Sequence, residues 1–254
     1  MEMIMFCSRW KCLLLCYLFC TPTAQAEIRA WTVNNSKINA DVVEVTQLSQ
    51  LGLYLKDQQG KPYLQISQLQ KNLQSCENMQ FAMNAGMFHP DYSPVGLYVE
   101  KGRQLKNLNR QQQGWGNFLI QPNGVLAWNH QRVFLGTTQQ YANQAFKAQY
   151  ATQSGPMLVI NRQLNSRFLA DSTSYKIRNG VGLKDQSLYF VISNTPVTFH
   201  QFATFFKDEL QTPNALYLDG SISTAYIPQL QRHTHPHRNL GPILAYIDHQ
   251  GCKP

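Results

Sequence analysis

Short apolar runs bounded by turn residues recur along most of the chain, and this pattern predicts many strands and few helices. Ala40 to Val45, Leu51 to Leu55 and Met79 to Met83 read as strands, the last running into Asn84-Ala85-Gly86. Val95 to Val99 and Gln104 to Leu108 flank Glu100-Lys101-Gly102-Arg103, which reads as a hairpin turn. Phe118 to Gln121 and Val125 to Trp128 flank Pro122-Asn123-Gly124, and predict a second hairpin. Met157 to Ile160 is a further strand, and Gly180 to Leu183 pairs with Leu188 to Ser193 around Lys184-Asp185-Gln186. Ala215 to Leu218 ends abruptly at Asp219-Gly220, and Ile243 to Ile247 is the last strand.

Three stretches carry helical signals instead. Ser67-Gln68-Leu69-Gln70 has capping-box spacing and predicts a helix to about Gln74. Thr138 to Gln149 reads as a second helix. Thr198 and Gln201 form another capping box, opening a helix with Phe199, Phe202, Phe205, Phe206 and Leu210 on its core side. The expectation is a single α+β domain around a mixed, largely antiparallel β-sheet with a few flanking helices.

The N-terminus changes which residues count. Arg9 and Lys11 precede the apolar run Leu13 to Cys20, Pro22 breaks it, and Ala24-Gln25-Ala26 supplies small residues at a cleavage site. This is the pattern of a cleavable secretory signal over residues 1–26, and the run is short of the ~20 apolar residues a membrane span needs. Bulky Phe19 before Cys20 argues against a lipoprotein anchor. Cleavage leaves 254 minus 26, that is 228, residues for one domain, expected in the periplasm or outside the cell with no further attachment to the membrane.

Two further consequences follow. Cys7, Cys12, Cys16 and Cys20 leave with the signal, so Cys76 and Cys252 are expected to pair in an oxidising compartment, or else to remain as two free thiols. The formal charge of +8 becomes +7 (20 basic against 13 acidic residues). The basic residues are scattered, with no run of three, which argues against a nucleic-acid partner but leaves room for a locally positive pocket. The pattern says nothing about oligomeric state.

Polar or glycine residues directly at the ends of buried strands mark the candidate chemistry. In Asn84-Ala85-Gly86-Met87-Phe88-His89, Gly86 can free backbone N–H groups for an anion, Asn84 can meet a sugar hydroxyl and Phe88 can face a pyranose ring. A tight turn with Asn84 serving the backbone is the alternative. Ser154-Gly155-Pro156 leads into a strand, without the G-x-S-x-G context of a nucleophile, so a structural turn with a binding hydroxyl is expected. Arg178 precedes the glycine-containing strand Gly180-Val181-Gly182, as a bidentate phosphate partner or as a surface cation. Asp219-Gly220-Ser221-Ile222-Ser223 sets a carboxylate and hydroxyls at a sheet edge, for substrate or for an Asx turn. His233, His235 and His237 alternate around Pro236 with no acidic residue near, which does not fit a metal site.

In this order the segments resemble the phosphodiester glycosidase family, from about Ala40 to Ile247, and in particular a bacterial branch linked to exopolysaccharide biosynthesis. The likeness rests on Asn84-Ala85-Gly86-Met87-Phe88, Ser154 to Leu158, Arg178 to Gly182 and the Asp219 loop. Two positions depart from the family pattern: Ala85 stands where many members carry glycine, and Ser221 replaces the second glycine of D-G-G-x-S. The resemblance implies hydrolysis of a sugar attached through its anomeric oxygen to a phosphodiester; animal members remove N-acetylglucosamine. No cofactor and no metal is expected. The leaving phosphate monoester needs little acid assistance, so cations and N–H groups outweigh a general acid. On this view Arg178 and the Gly86 turn take the phosphate, and Asp219 stabilises or attacks the oxocarbenium-like centre. Asn84, Phe88, Ser154, Gly155, Gly220, Ser221 and Ser223 line the substrate, and Asp171 and His89 stand in reserve to activate water. A non-catalytic binder of phosphorylated or acidic polysaccharide, and a hydrolase cutting the P–O bond, remain open alternatives.

Overall fold

The computed structural model describes residues 28–114, 116–233, 239–249 and 251–252, with the Ser221 side chain left undescribed. The expected signal segment and His235 and His237 therefore lie outside the described residues.

The strands form three sheets rather than one. The first contains seven strands in the order β1 (Ile28–Asn34), β2 (Asn39–Val45), β13 (Ser187–Ser193), β12 (Asn179–Lys184), β14 (Asn214–Tyr217), β10 (Met157–Ile160) and β11 (Gln163–Leu164). The second runs β16 (Arg232–His233), β15 (Ala225–Ile227), β4 (Asn78–Asn84), β17 (Ile243–Asp248) and β3 (Leu51–Tyr54). The third runs β6 (Arg103–Lys106), β5 (Tyr98–Glu100), β9 (Tyr150–Ser154), β7 (Gly124–Trp128) and β8 (Val133–Thr137). The pairings among these described strands are antiparallel, as in β12 on β14, where Gly180 sits opposite Tyr217. With few helices beside these strands, the α+β class stands.

The central core explains why the strands read as apolar runs. Val43, Phe81, Met83, Leu126, Trp128, Phe190 and Leu216, drawn from all three sheets, pack into one cluster. The Phe81 and Phe190 ring centroids are 5.2 Å apart, and the Trp128 indole N–H donates to the Leu51 carbonyl at 3.1 Å. The opposite face of the first sheet, with Val42, Leu158 and Val191, is covered by Phe202 and Phe206. A sheet buried on both faces needs apolar residues at successive positions, so strict alternation is lost.

Helix α3 (Phe199–Thr204) supplies that cover and passes into a π-helical stretch, Phe205–Glu209. It opens with the capping box foreseen at Thr198: the Thr198 hydroxyl accepts from the Gln201 N–H, and the Gln201 side chain accepts from the Thr198 N–H. Helix α1 (Ile66–Lys71) instead has Gln65 as its N-cap with no side-chain cap, two residues before the expected Ser67 box.

Two local expectations fail for physical reasons. Phe118 to Gln121 is not a strand: Asn117–Leu119 forms a 3-10 turn ahead of a cis Gln121-Pro122 bond, and β7 pairs with β8 instead. Pro122 has no N–H to give a ladder, and the Asn129 side chain accepts from the N–H groups of Gln131 and Arg132 to close the alternative hairpin. The helix expected over 138–149 stops as α2 (Thr138–Ala142), where the chain turns after Asn143 and folds Phe146 onto Phe134 and Tyr141. Cys76 and Cys252 are joined in a disulfide, with their Cα atoms 5.0 Å apart.

Candidate active site at the junction of three sheets

The four chemistry-bearing segments end different strands, and the fold brings their backbones into contact. The Asp219 N–H donates to the Ala85 carbonyl at 3.3 Å, tying the end of β14 to the end of β4. The Leu218 N–H donates to the Asn179 carbonyl at 3.1 Å, and the Tyr217 N–H to the Pro156 carbonyl at 3.0 Å. Gly86 lies so close to β9 that a methyl group there would overlap Thr152 and the Gln153 carbonyl. Its backbone is not left-handed, and the absence of a side chain at Gly86 permits close approach between two sheets.

Asn84 is the hub. It is 1% exposed, and its amide donates to the Asp219 carbonyl at 2.8 Å. Its side-chain oxygen accepts from the Asn179 amide at 2.9 Å and from the Thr224 N–H at 3.0 Å. Buried and so engaged, Asn84 ties the Asp219 loop to Asn179 and Thr224 and serves the backbone, the alternative open at that turn. Asp219 itself is half-buried. Ser223 closes the loop by donating from its hydroxyl to the Gly220 carbonyl at 3.0 Å.

Beside Tyr217, two residues before Asp219, stands a buried cation. Arg178 is 2% exposed, with its Nε donating to the Val197 carbonyl and its Nη2 to the Ser174 carbonyl, both at 2.9 Å. The guanidinium lies 3.6 Å from the centre of the Phe199 ring, a close cation–π contact. Burial lowers its pKa from the usual arginine value and the neighbouring Tyr217 opposes that shift; the group remains a cation at neutral pH. Arg178 is thus built into the wall of the site, not exposed on the surface.

Tyr217 completes the arrangement and was not singled out from sequence. Its phenol pKa is pushed up to about 12, chiefly by burial, with Asp219 adding to the rise and Arg178 and a Gly220 backbone hydrogen bond opposing it. It therefore stays protonated and able to donate. A side chain at Gly220 would collide with the Tyr217 hydroxyl, which is why glycine follows Asp219. The clue available in the sequence was spacing: Tyr217 and Asp219 are two apart along one extended segment, and so share a side. Asn179 and Thr224 were missed because nothing local marks them as hydrogen-bond partners of a residue far away in sequence.

The other expected residues are distributed unevenly. Ser154 is fully buried at the end of β9, and its hydroxyl has no hydrogen-bond partner among the described residues. Gly155 precedes a cis bond to Pro156 and packs against Asn123, which makes it a structural turn. Phe88 lies against Gly241 and 5.9 Å from the Tyr92 ring, so part of its surface is already covered. His89 is exposed, its backbone tied to Ser93. Asp171 is exposed on the loop whose Ser174 holds Arg178. Neither side chain joins the Asn84–Asp219 network. Among the described residues, no cluster of three or more His, Cys, Asp or Glu side chains is placed to hold a metal.

Known proteins share this arrangement of segments. The chain is 34% identical over 201 residues to the uncharacterized protein YigE of Escherichia coli (strain K12), covering 79% of this chain and 74% of that one. Its fold matches the solved catalytic domain of zebrafish N-acetylglucosamine-1-phosphodiester alpha-N-acetylglucosaminidase, auto-inhibited by its pro-peptide. There the TM-score is 0.61 at 13% identity, over 88% of this chain and 84% of that one. The family profile for phosphodiester glycosidases matches residues 77–245, a span that holds Asn84, Ser154, Arg178 and Asp219, and the chain belongs to that family.

Proposed function

We propose that this protein hydrolyses the glycosidic C–O bond of a sugar joined through its anomeric oxygen to a phosphodiester, on an envelope or exopolysaccharide glycan. The observation that carries the reading is the pairing of opposites at one sheet junction. A carboxylate loop held by Asn84 adjoins a buried guanidinium and a neutral phenol. Cleavage of the C–O bond creates positive charge on the sugar ring and leaves negative charge on the departing phosphate. In this proposal Asp219 faces the ring carbon, while Arg178 and Tyr217 stabilise the phosphate side. Preorganised groups of this kind stabilise charge as it develops without reorganising. A phosphate monoester leaves readily, so the scheme needs no protonated carboxyl. His89 and Asp171 stand outside the network, and the proposal gives neither an obligatory part.

Export follows from the N-terminal pattern and agrees with the Cys76–Cys252 disulfide, a bond favoured in oxidising compartments. Intact mass of the exported protein is expected to begin at Glu27; a mature form retaining Met1 overturns it.

The activity is tested with a panel of anomeric sugar phosphodiesters in ¹⁸O-labelled water. Release of a free sugar carrying the label, together with an unlabelled phosphate monoester, is the expected result. Label in the phosphate means P–O cleavage, and binding of the panel without turnover means a glycan-binding protein.

A further inference from the structure

A polar cleft of about 350 Å³ opens away from that junction, between the β3–α1 connection and Asn239. That volume falls within the ~300–1,000 Å³ of small-molecule sites. Its wall carries Asp57, Tyr63, Gln65, Gln68, Asn72 and Asn239. Planar amides and one phenol dominate, and Lys61 offsets the Asp57 charge. The Asp57 carboxylate is further occupied by the N–H groups of Gln59 and Lys61, at 3.0 and 2.8 Å. The cleft thus has no excess of positive charge with which to hold a phosphate.

The backbone beneath it is strained. Leu64 has φ of 61°, and the Gln65 N–H donates to the Tyr63 carbonyl at 2.7 Å, so Leu64 centres a γ-turn of the rare positive-φ kind. Non-glycine residues in such conformations cost about 1–3 kcal/mol and persist where surrounding contacts hold them, often at ligand sites. The contacts here are a 2.7 Å bond from the Leu240 N–H to the Leu64 carbonyl and a 3.1 Å bond from the Tyr63 N–H to the Leu55 carbonyl. They fix the half-buried Tyr63 ring against a cluster that includes Ile66, Leu69 and Ile243. Burial raises the Tyr63 pKa, so the phenol stays neutral. The Gln68 side-chain amide lies exposed on α1 at the rim of the cleft.

The cleft is linked to the segment that follows Asn84. The Asn239 amide donates to the Tyr92 hydroxyl at 3.0 Å, and the Tyr92 ring packs on Phe88, four residues past Asn84. We infer that this cleft is a glycan subsite that takes a neutral hexopyranose unit, its C–H face on Tyr63 and its hydroxyls on Gln68 and Asn239. Amides offer both donors and acceptors, as sugar hydroxyls do, and an aromatic ring covers the apolar face of a pyranose. Its service to catalysis rests on the proposed hydrolysis; its binding of sugar does not.

The test separates the two. The ¹⁵N-labelled full-length protein is titrated with maltotriose, cellotriose, mannotriose and chitotriose, and amide shifts are mapped. At least one sugar is expected to shift residues 57–72 and Asn239. Gln68→Ala, an exposed substitution, and Tyr63→Phe should each weaken that binding about fivefold to tenfold, the scale of one lost hydrogen bond, while Asp219→Asn leaves it unchanged. Absence of shifts at the cleft with all four sugars, or shifts confined to the Asn84–Asp219 junction, overturns the subsite. If the sugars bind but no phosphodiester is turned over, the hydrolysis proposal fails and the subsite stands.

Discussion

The Asn84–Asp219 junction and the two loops that carry His89 and Asp171 hold residues of similar chemical promise in very different physical states. At the junction, three strand ends from two sheets are cross-linked by Asn84, and Arg178 and Tyr217 are buried beside them. On the loops, His89 and Asp171 face solvent without joining that network. A carboxylate carried by a half-buried loop whose backbone is held presents a steadier field to a developing charge, whereas an exposed one must be ordered first and is screened by water. The contrast ranks the sequence candidates by preorganisation rather than by residue type.

The strongest way to break this ranking is Asp219→Asn, which keeps size and most hydrogen bonding but removes the charge. Turnover should fall at least about a hundredfold, the loss typical of one electrostatic catalytic group. The melting temperature, measured on the same preparation, should move little. A variant that melts earlier but keeps its activity per folded molecule would reduce Asp219 to a turn-maker.

Asn84→Ala attacks the support instead of the charge. It removes the bonds that the Asn179 amide, the Thr224 N–H and the Asp219 carbonyl make to the Asn84 side chain in a buried region. Chemical denaturation should show a loss of about 2 kcal/mol or more, since each unsatisfied buried group costs roughly 1–3 kcal/mol. Unchanged stability would mean that the network re-forms without its hub.

Arg178→Lys sharpens the comparison by keeping a cation while losing the planar fork that reaches Val197 and Ser174. Turnover is expected to drop about tenfold, the equivalent of 1.4 kcal/mol, because lysine cannot hold both carbonyls and stack on Phe199. Full activity in the lysine variant would leave only a point charge as the requirement, and full activity in Arg178→Ala would move the phosphate site elsewhere.

The smallest effects belong to the loops. Asp171→Asn and His89→Gln should each change turnover by no more than about twofold, within the ~0.5 kcal/mol usual for exposed positions. A steady-state assay showing a hundredfold loss in either would shift activation of water onto that loop and overturn the ranking.

The chain's own pattern determined a good deal. Apolar runs ending in Asn84, Leu218 and Ile160 marked strands, and the Thr198–Gln201 spacing marked a helix start, because these are local consequences of burial and capping. Cys76 and Cys252, the two cysteines beyond the N-terminal segment, could be paired by counting. Local pattern failed at Phe118 to Gln121, where the choice of strand partner lay between distant segments, and it did not mark Tyr150 to Ser154 as a strand at all. The same limit applied to the site. Asn84, Arg178 and Asp219 were visible as polar residues at strand ends, but which were to be buried was not. Only the meeting of three sheets decided that Asn84 holds a loop 135 residues away, that Arg178 is enclosed by Phe199 and Tyr217, and that Gly86 serves close packing. Hydrogen-bond partners and burial are properties of the assembled interior, so they depend on contacts that no single segment contains.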